Sequence, residues 1–198
     1  MVLLTATARA AGPVYDSVQG GFTFQAPKGW TIYKQPVEEY PALFGPDDED
    51  GPSPYVVITE VDGQPDLFAL GDATMKELLK DKLYQLSKRD AFHTADDRVG
   101  LKYVLITPMP NSVYRQIFYF VEGPGDRRFC FLATVPEASW QKYDVFMDNM
   151  MKSYHLRAGV TPPSNPGDAE AMIAPPTVSN TTAAAMPPVH LPTRVAGK

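Results

Sequence analysis

The sequence predicts an α+β fold, an antiparallel β-sheet with helices packed on its faces in the manner of an α/β/α sandwich. Short segments with alternating or β-branched residues, separated by Gly, Pro and Asp, indicate strands. Two longer segments carry apolar residues at helical spacing. The order along the chain is a hairpin, a strand, a helix, three strands and a second helix, which is typical of an antiparallel sheet rather than of alternating βα units.

The first predicted elements are strands. Residues 22–25 alternate apolar and polar side chains, a turn follows, and residues 31–34 resume strand character. This pattern predicts an antiparallel hairpin with Phe22 and Phe24 turned inward. Residues 42–44 form a further short strand. Residues 55–61 are dense in β-branched side chains and predict another strand.

A helix is predicted next, over about residues 74–86. Thr74 and Glu77 have the spacing of a capping box, in which each side chain satisfies a backbone N–H at the helix start. The apolar residues that define the buried face follow the i, i+3, i+4 rule: Met75, Leu78, Leu79, Leu83 and Leu86.

The second half of the chain predicts four strands and a closing helix. Residues 91–94 read as a short edge strand, and residues 101–107, 113–121 and 128–135 as three longer ones. Because both faces of residues 113–121 carry bulky side chains, we expect that strand to lie centrally, covered on each side. The closing helix begins near residue 136, and its broad apolar face consists of Trp140, Tyr143, Phe146, Met147, Met150 and Met151.

Composition changes at both ends of this pattern. The 198 residues are 44% hydrophobic and 21% charged, which fits one globular domain, and we place it at residues 20–157. Residues 158–198 are rich in Pro, Ala and Thr, which predicts a disordered tail. Residues 1–19 form a leader in which Ala8-Arg9-Ala10 follows a short apolar patch, as at a signal-peptidase site.

We interpret the leader as the remnant of an export signal, although the basic segment and long apolar core of a complete signal are missing. The predicted location is therefore the periplasm, the extracellular space or a thylakoid lumen, with the cytoplasm as the alternative. No stretch approaches the 18 apolar residues of an integral membrane segment.

Four stretches of the domain together resemble the PsbP-like superfamily. They are the Gly-Phe strand leading to a Pro and Trp30, Leu43-Phe44 before an acidic loop and a Val-rich strand, the middle helix leading into an aromatic hairpin, and the closing helix ending in Ser153-Tyr154. Members of that superfamily include lumenal accessory subunits of photosystem II, a Ran-binding import factor and bacterial envelope lipoproteins. The resemblance implies a non-catalytic module that docks to a larger assembly. This chain lacks the lysine-rich N-terminal segment of the plant photosystem subunit.

Several function classes find no support in the sequence. The formal net charge of −5 and the lack of Lys/Arg clusters disfavour a nucleic-acid partner. Neither a G-x-S-x-G elbow nor a glycine-rich phosphate loop occurs. The single cysteine, Cys130, sits in an apolar run, which predicts a buried side chain rather than a reactive thiol.

Carboxylates supply the candidate metal ligands. Asp47, Asp48 and Asp50 belong to an acidic run suited to calcium or another divalent cation, and His93 lies close to Asp96. The acidic run lacks the alternating ligand spacing of a dedicated calcium loop, so solvated surface charge is the competing interpretation. No resident cofactor is predicted.

Aromatic residues supply the candidate docking surface: Trp30, Tyr33, Tyr40 and Phe44. Core packing is the competing interpretation, so only a partly exposed subset of them would serve a protein partner. The leading hypothesis is an exported, non-enzymatic accessory module with a protein partner. The alternative is a metal- or small-molecule-binding enzyme that uses a pocket near His93 and the acidic residues.

Overall fold

The computed structural model describes residues 12–33, 40–46, 53–61, 66–109 and 112–157. The chain divides into two units, Met1–Ser164 and Asn165–Lys198, and every described residue belongs to the first. The predicted tail and residues 1–11 of the predicted leader lie outside the described residues.

Ten strands, two α-helices and one 3₁₀ turn make up the described part of the chain. In chain order they are β1 (Val14–Ser17), β2 (Phe22–Gln25), β3 (Thr31–Tyr33), β4 (Ala42–Phe44), β5 (Tyr55–Glu60), α1 (Leu67–Leu78), β6 (Gln85–His93), β7 (Val99–Met109), β8 (Ser112–Glu122), β9 (Arg128–Pro136), a 3₁₀ turn (Glu137–Ser139), α2 (Trp140–Lys152) and β10 (His155–Leu156).

The strands form two antiparallel sheets. The larger has seven strands in the order β3-β4-β5-β9-β8-β7-β6, and the smaller has three in the order β1-β2-β10. The predicted fold class, an antiparallel sheet with helices on its faces, is confirmed. No helix in the described ranges has the length and apolar character needed to cross a membrane.

Two hydrophobic cores lie on opposite faces of the seven-stranded sheet. On the face that we call the α1 face, Leu67, Leu70 and Met75 of the helix pack against the sheet. On the opposite face, the α2 face, helix α2 and the three-stranded sheet share one core. Strand β8 lies between these cores, with Phe118 in the first and Tyr119 in the second. Its predicted central position, covered on both sides, is confirmed.

The first helix begins and ends earlier than predicted. The side chain of Asp66 caps it by accepting a hydrogen bond from the N–H of Ala69, and the helix ends at Leu78. Thr74 is an interior residue whose hydroxyl donates to the carbonyl of Leu70 at 2.9 Å. Leu83 and Leu86 are exposed, at 56% and 44%.

The physical reason is a tertiary override of local periodicity. Residues 85–93 form β6, whose backbone pairs with the long strand β7. Those cross-strand hydrogen bonds outweigh a helical preference that differs from alternatives by less than about 1 kcal/mol per residue.

The predicted hairpin of residues 22–25 with residues 31–34 is also wrong. Strand β2 pairs with β1 and β10 in the small sheet, whereas β3 pairs with β4 in the large one. Strand β1 lies within residues 1–19, the predicted leader, and pairs with β2 in the small sheet. Phe22 and Phe24 are fully buried, which confirms their inward orientation.

The closing helix begins later than predicted, at Trp140, because residues 137–139 form a 3₁₀ turn ahead of it. Helix α2 turns Tyr143, Met147 and Met150 into the core, and Tyr154 is fully buried just after it. Cys130 is buried in the core under α1, as its apolar neighbours predict.

Candidate docking surface

Helix α1 leaves part of its own sheet face uncovered. It packs on β7 and β8, near one edge of the seven-stranded sheet. The strands at the other edge, β3, β4 and β5, present an aromatic row on that face. Tyr55 lies two residues before Val57, which packs on the α1 core, so both point to the α1 face.

The pairing of β5 with β4 and of β4 with β3 extends this row to the edge strand β3. Phe44 pairs with Tyr55, and Tyr33 of β3 pairs with Ala42 of β4, so all three aromatic side chains share the α1 face. The ring centroids of Tyr33 and Phe44 are 6.5 Å apart, and those of Phe44 and Tyr55 are 6.3 Å apart. We call Tyr33, Phe44 and Tyr55 the aromatic strip.

The three side chains of the aromatic strip differ in how much of each is exposed to solvent. Tyr33 is 55% exposed, whereas Phe44 and Tyr55 are half-buried. Burial is the largest influence on Tyr55 and raises the pKa of its hydroxyl. The Tyr55 hydroxyl is therefore protonated at neutral pH. The strip offers apolar area together with phenol groups that donate and accept hydrogen bonds.

Two of the four residues predicted for docking lie instead in the core on the α2 face. Trp30 is 6% exposed and packs edge to face against Tyr143 of α2. Tyr40 is 5% exposed, packs against Phe129, and donates its hydroxyl to Glu60. Neither side chain is available to a partner on the outer surface.

Tyr33 and Phe44 remain candidates, and the structure brings Tyr55 to them. Sequence reasoning assigned Tyr55 only to a strand. The signal that could have found it is the β4–β5 pairing, which places Tyr55 directly opposite Phe44.

His93 and its acidic neighbours serve the turn between β6 and β7. The His93 ring lies 3.0 Å from a carboxylate oxygen of Asp97, and both side chains are well exposed. Asp97 has a φ of 61°, as the tight turn requires. The carboxylate of Asp96 accepts from the Thr94 hydroxyl at 2.6 Å and from Arg98 Nε at 3.2 Å.

These groups do not converge on a cation position. Within the described ranges, no set of three His, Cys, Asp or Glu side chains is arranged to hold a metal ion. Asp47, Asp48 and Asp50 lie outside the described residues, so their metal binding stays a prediction.

A shallow cleft of about 330 Å³ opens near the same turn, lined by Asp66, Leu67, Phe68, Arg98, Val99 and Glu122. Its polar side chains are engaged with protein groups. Asp66 caps α1, and Arg98 contacts Glu122 at 3.3 Å and Asp96 at 3.2 Å. The cleft therefore resembles a gap between paired charges more than a binding pocket built around a ligand.

A buried ammonium group ties the sheet to α2. The side chain of Lys102 is 3% exposed, and its Nζ donates to Asp144 and Asp148 at 2.7 Å each. The Tyr119 hydroxyl also donates to Asp148 at 2.7 Å. Burial, together with the nearby carboxylates of Asp148 and Asp144, raises the pKa of Tyr119 well above its usual range. The cluster joins β7, β8 and α2 through satisfied hydrogen bonds, and sequence reasoning did not find it.

Cys130, Glu60 and Glu137 have shifted pKa values, but each keeps its usual protonation state at neutral pH. Burial raises the pKa of the Cys130 thiol to about 12. A hydrogen bond from Arg127 lowers the pKa of Glu60, and one from Arg115 lowers that of Glu137. General acid–base catalysis works best with a pKa near the operating pH, and none of these shifts moves a group toward neutrality.

No protein-family model and no curated protein matches this sequence. Solved structures do match it. Cyanobacterial PsbP (CyanoP) from Synechocystis sp. PCC 6803 superposes with a TM-score of 0.55 at 15% identity, covering 76% of this chain and 95% of that one.

Two further structures give similar values. LpqN of Mycobacterium tuberculosis, described as involved in cell envelope biogenesis, has a TM-score of 0.54 at 11% identity, covering 76% of this chain and 87% of its own. The Ran-binding protein Mog1p of Saccharomyces cerevisiae has a TM-score of 0.53 at 11% identity, and the match covers 74% of this chain and 95% of Mog1p. The predicted resemblance is thereby confirmed, and this chain has the fold that the PsbP-like superfamily shares.

Proposed function

We propose that this chain is a non-catalytic binding module that docks on a protein partner through the aromatic strip. The observation that carries the proposal is the contiguous row of Tyr33, Phe44 and Tyr55 on the part of the sheet face that lies beyond α1. Tyrosine and phenylalanine are enriched in the centres of protein interfaces, because they bring large contact area with few rotatable bonds.

The chemistry of the strip favours a partner with an apolar segment and some hydrogen-bonding groups. Phenol groups are satisfied by polar atoms of a partner while their rings bury apolar area. The formal net charge of −5 favours Lys and Arg around that segment, because complementary charge speeds association.

The other sites support a non-catalytic role. The cleft near Arg98 is lined by charges already paired, and the thiol of Cys130 is buried with its pKa raised to about 12. A protein that shares this fold, Mog1p, is a Ran-binding protein. We propose by analogy that here too the fold presents a surface to another protein.

A photocrosslinking experiment tests the proposal. A photoreactive phenylalanine analogue is placed at Tyr33 and, as a matched control, at Val145, an α2 residue that is 50% exposed. Each protein is irradiated in an extract of the organism from which the gene comes, and crosslinked products are identified by mass spectrometry. We expect a partner captured from position 33 and not from position 145.

Affinity measurements with the purified partner complete the test. We expect Tyr33→Ser to weaken binding about tenfold or more, as for a partly buried interface anchor, and Val145→Ser to leave it unchanged. Equal capture from both positions, or a partner whose affinity ignores Tyr33→Ser, would refute docking through the aromatic strip.

We also propose that the protein acts after export, which the Ala8-Arg9-Ala10 pattern supports. Cell fractionation of the full chain, followed by N-terminal sequencing, tests this. We expect the protein outside the cytoplasm with its N-terminus just after Ala10. A cytoplasmic protein that keeps residues 1–10 would contradict it.

A further inference from the structure

Strand β6 lies at one end of the seven-stranded sheet, and no strand among the described residues pairs with its outer edge. It runs from Gln85 to His93, and its residues are exposed or half-buried throughout. Its inner edge pairs with β7. A long edge with available backbone groups can pair with another strand, and proteins commonly limit this with charged residues and bulges.

The hydrogen-bond phase of β6 shows which groups face outward. The N–H of Thr94 donates to the carbonyl of Arg98, so that pair is hydrogen-bonded. Pairs alternate along an antiparallel ladder. The pairs that β7 makes with Arg89, Ala91 and His93 are therefore the non-hydrogen-bonded ones, and the N–H and C=O groups of these three residues point away from β7.

The sequence of β6 is complementary to itself about Arg89. In an antiparallel pair of two copies centred there, Lys88 of each copy faces Asp90 of the other. The bulge between Leu86 and Lys88 interrupts this register beyond Lys88, so Lys88, Arg89 and Asp90 form its regular centre. Arg89 occupies an outward-facing position, as the centre of a symmetric hydrogen-bonded pair requires.

We propose that two copies of this chain associate through their β6 edges, joined by reciprocal pairs between Lys88 and Asp90. The two side chains lie on the same face of β6, where they already contact each other within one copy. That face is the α2 face, because Lys88 pairs with Val104, a residue of the core shared with α2. Association adds a second carboxylate beside each lysine and a second ammonium beside each aspartate.

The central arginines do not oppose this register. Each Arg89 side chain donates to its own Asp72 at 3.0 Å and lies over the ring of Tyr103, so its charge is compensated on the α1 face. Moving the centre to Ala91 would place Asp90 opposite Phe92 and lose the charge pairs. The bulge between Leu86 and Lys88 bends the strand and keeps the paired stretch short, so the dimer is a weak one.

Sedimentation velocity of the full chain, from about 1 µM to about 1 mM, tests the proposal. We expect a concentration-dependent dimer. Lys88→Asp and Asp90→Lys each place like charges opposite each other, and each should raise the dissociation constant about tenfold or more. Lys82→Asp is the matched control, since it makes the same charge change at an exposed residue before β6, and it should leave the dimer unchanged.

Mixing the two variants gives the decisive measurement. In an equimolar mixture, aspartates at positions 88 and 90 of one copy face lysines at both positions of the other, so a heterodimer should form with close to wild-type affinity. A monomer at every concentration, a dimer that ignores the substitutions, or a mixture no tighter than either variant alone would overturn the proposal. The aromatic strip lies at the opposite edge of the sheet, so its function is tested independently.

Discussion

Replacing Lys102 with Met should destabilise the domain by leaving two carboxylates without their cation. The ammonium group is 3% exposed and donates to both Asp144 and Asp148 at 2.7 Å. Methionine has a similar length and no charge, so it removes the two ionic hydrogen bonds while filling most of the space. Asp144 and Asp148 are four residues apart on α2 and would then repel each other.

The expected loss follows from burial. Removing one partner of a buried ion pair costs about 3 to 5 kcal/mol. The two aspartates are 28% and 34% exposed, so water screens part of the penalty and the lower end, ~3 kcal/mol, applies. For a domain of this size that corresponds to a fall in Tm of about 10 °C.

Urea and thermal unfolding monitored by circular dichroism measure this change. The control variant adds Asp144→Asn and Asp148→Asn to Lys102→Met, which removes the uncompensated charges while keeping a side-chain oxygen for the Tyr119 hydroxyl. We expect the triple variant to recover to within about 1 kcal/mol of wild type. The reasoning fails if Lys102→Met is as stable as wild type, or if the triple variant is no more stable than the single one.

Three further predictions follow from burial and charge. Native Cys130 should resist a thiol reagent at pH 8 and react only after unfolding in urea, because burial raises its pKa to about 12; rapid native labelling would contradict this. Glu60→Gln should cost about 1 kcal/mol at pH 7, measured by urea unfolding. A hydrogen bond from Arg127 lowers the pKa of Glu60 in the folded state from its usual value of 4.5. The cost of the substitution should therefore disappear as the pH falls below 4.5 and through the lowered folded-state pKa. A cost that does not change with pH would exclude the ion pair as its cause. Met75→Ala should lower the free energy of unfolding by about 2 to 4 kcal/mol, because Met75 is 3% exposed. Leu83→Ser should change it by less than about 0.5 kcal/mol in the same assay, because Leu83 is 56% exposed. Equal losses from the two substitutions would instead support the predicted helix over residues 74–86, in which both side chains are buried.

The candidate docking surface was only partly predictable. Aromatic composition singled out Tyr33 and Phe44 but could not separate them from Trp30 and Tyr40, which pack in the core. A ring is chemically the same on either face of a sheet, and strand register decides which face it occupies. Tyr55 joins the strip through pairing between β4 and β5, a tertiary contact.

The sequence by itself determined that the segments of β2 to β5, of β7 to β9 and of α2 are regular, and which way several of their apolar side chains point. Phe22, Phe24 and Cys130 were assigned correctly because side-chain alternation and apolar runs are local properties of the chain.

Only the tertiary structure decided which strands pair and where α1 stops. Strand β2 takes its partners from both ends of the domain, β1 and β10, and residues 85–93 leave a helical pattern to pair with β7. Those choices depend on hydrogen bonds and packing between residues far apart in sequence. The same non-local contacts leave Tyr33 and most residues of β6 exposed, because in the described part of the chain α1 packs on β7 and β8 and no strand pairs with the outer edge of β6.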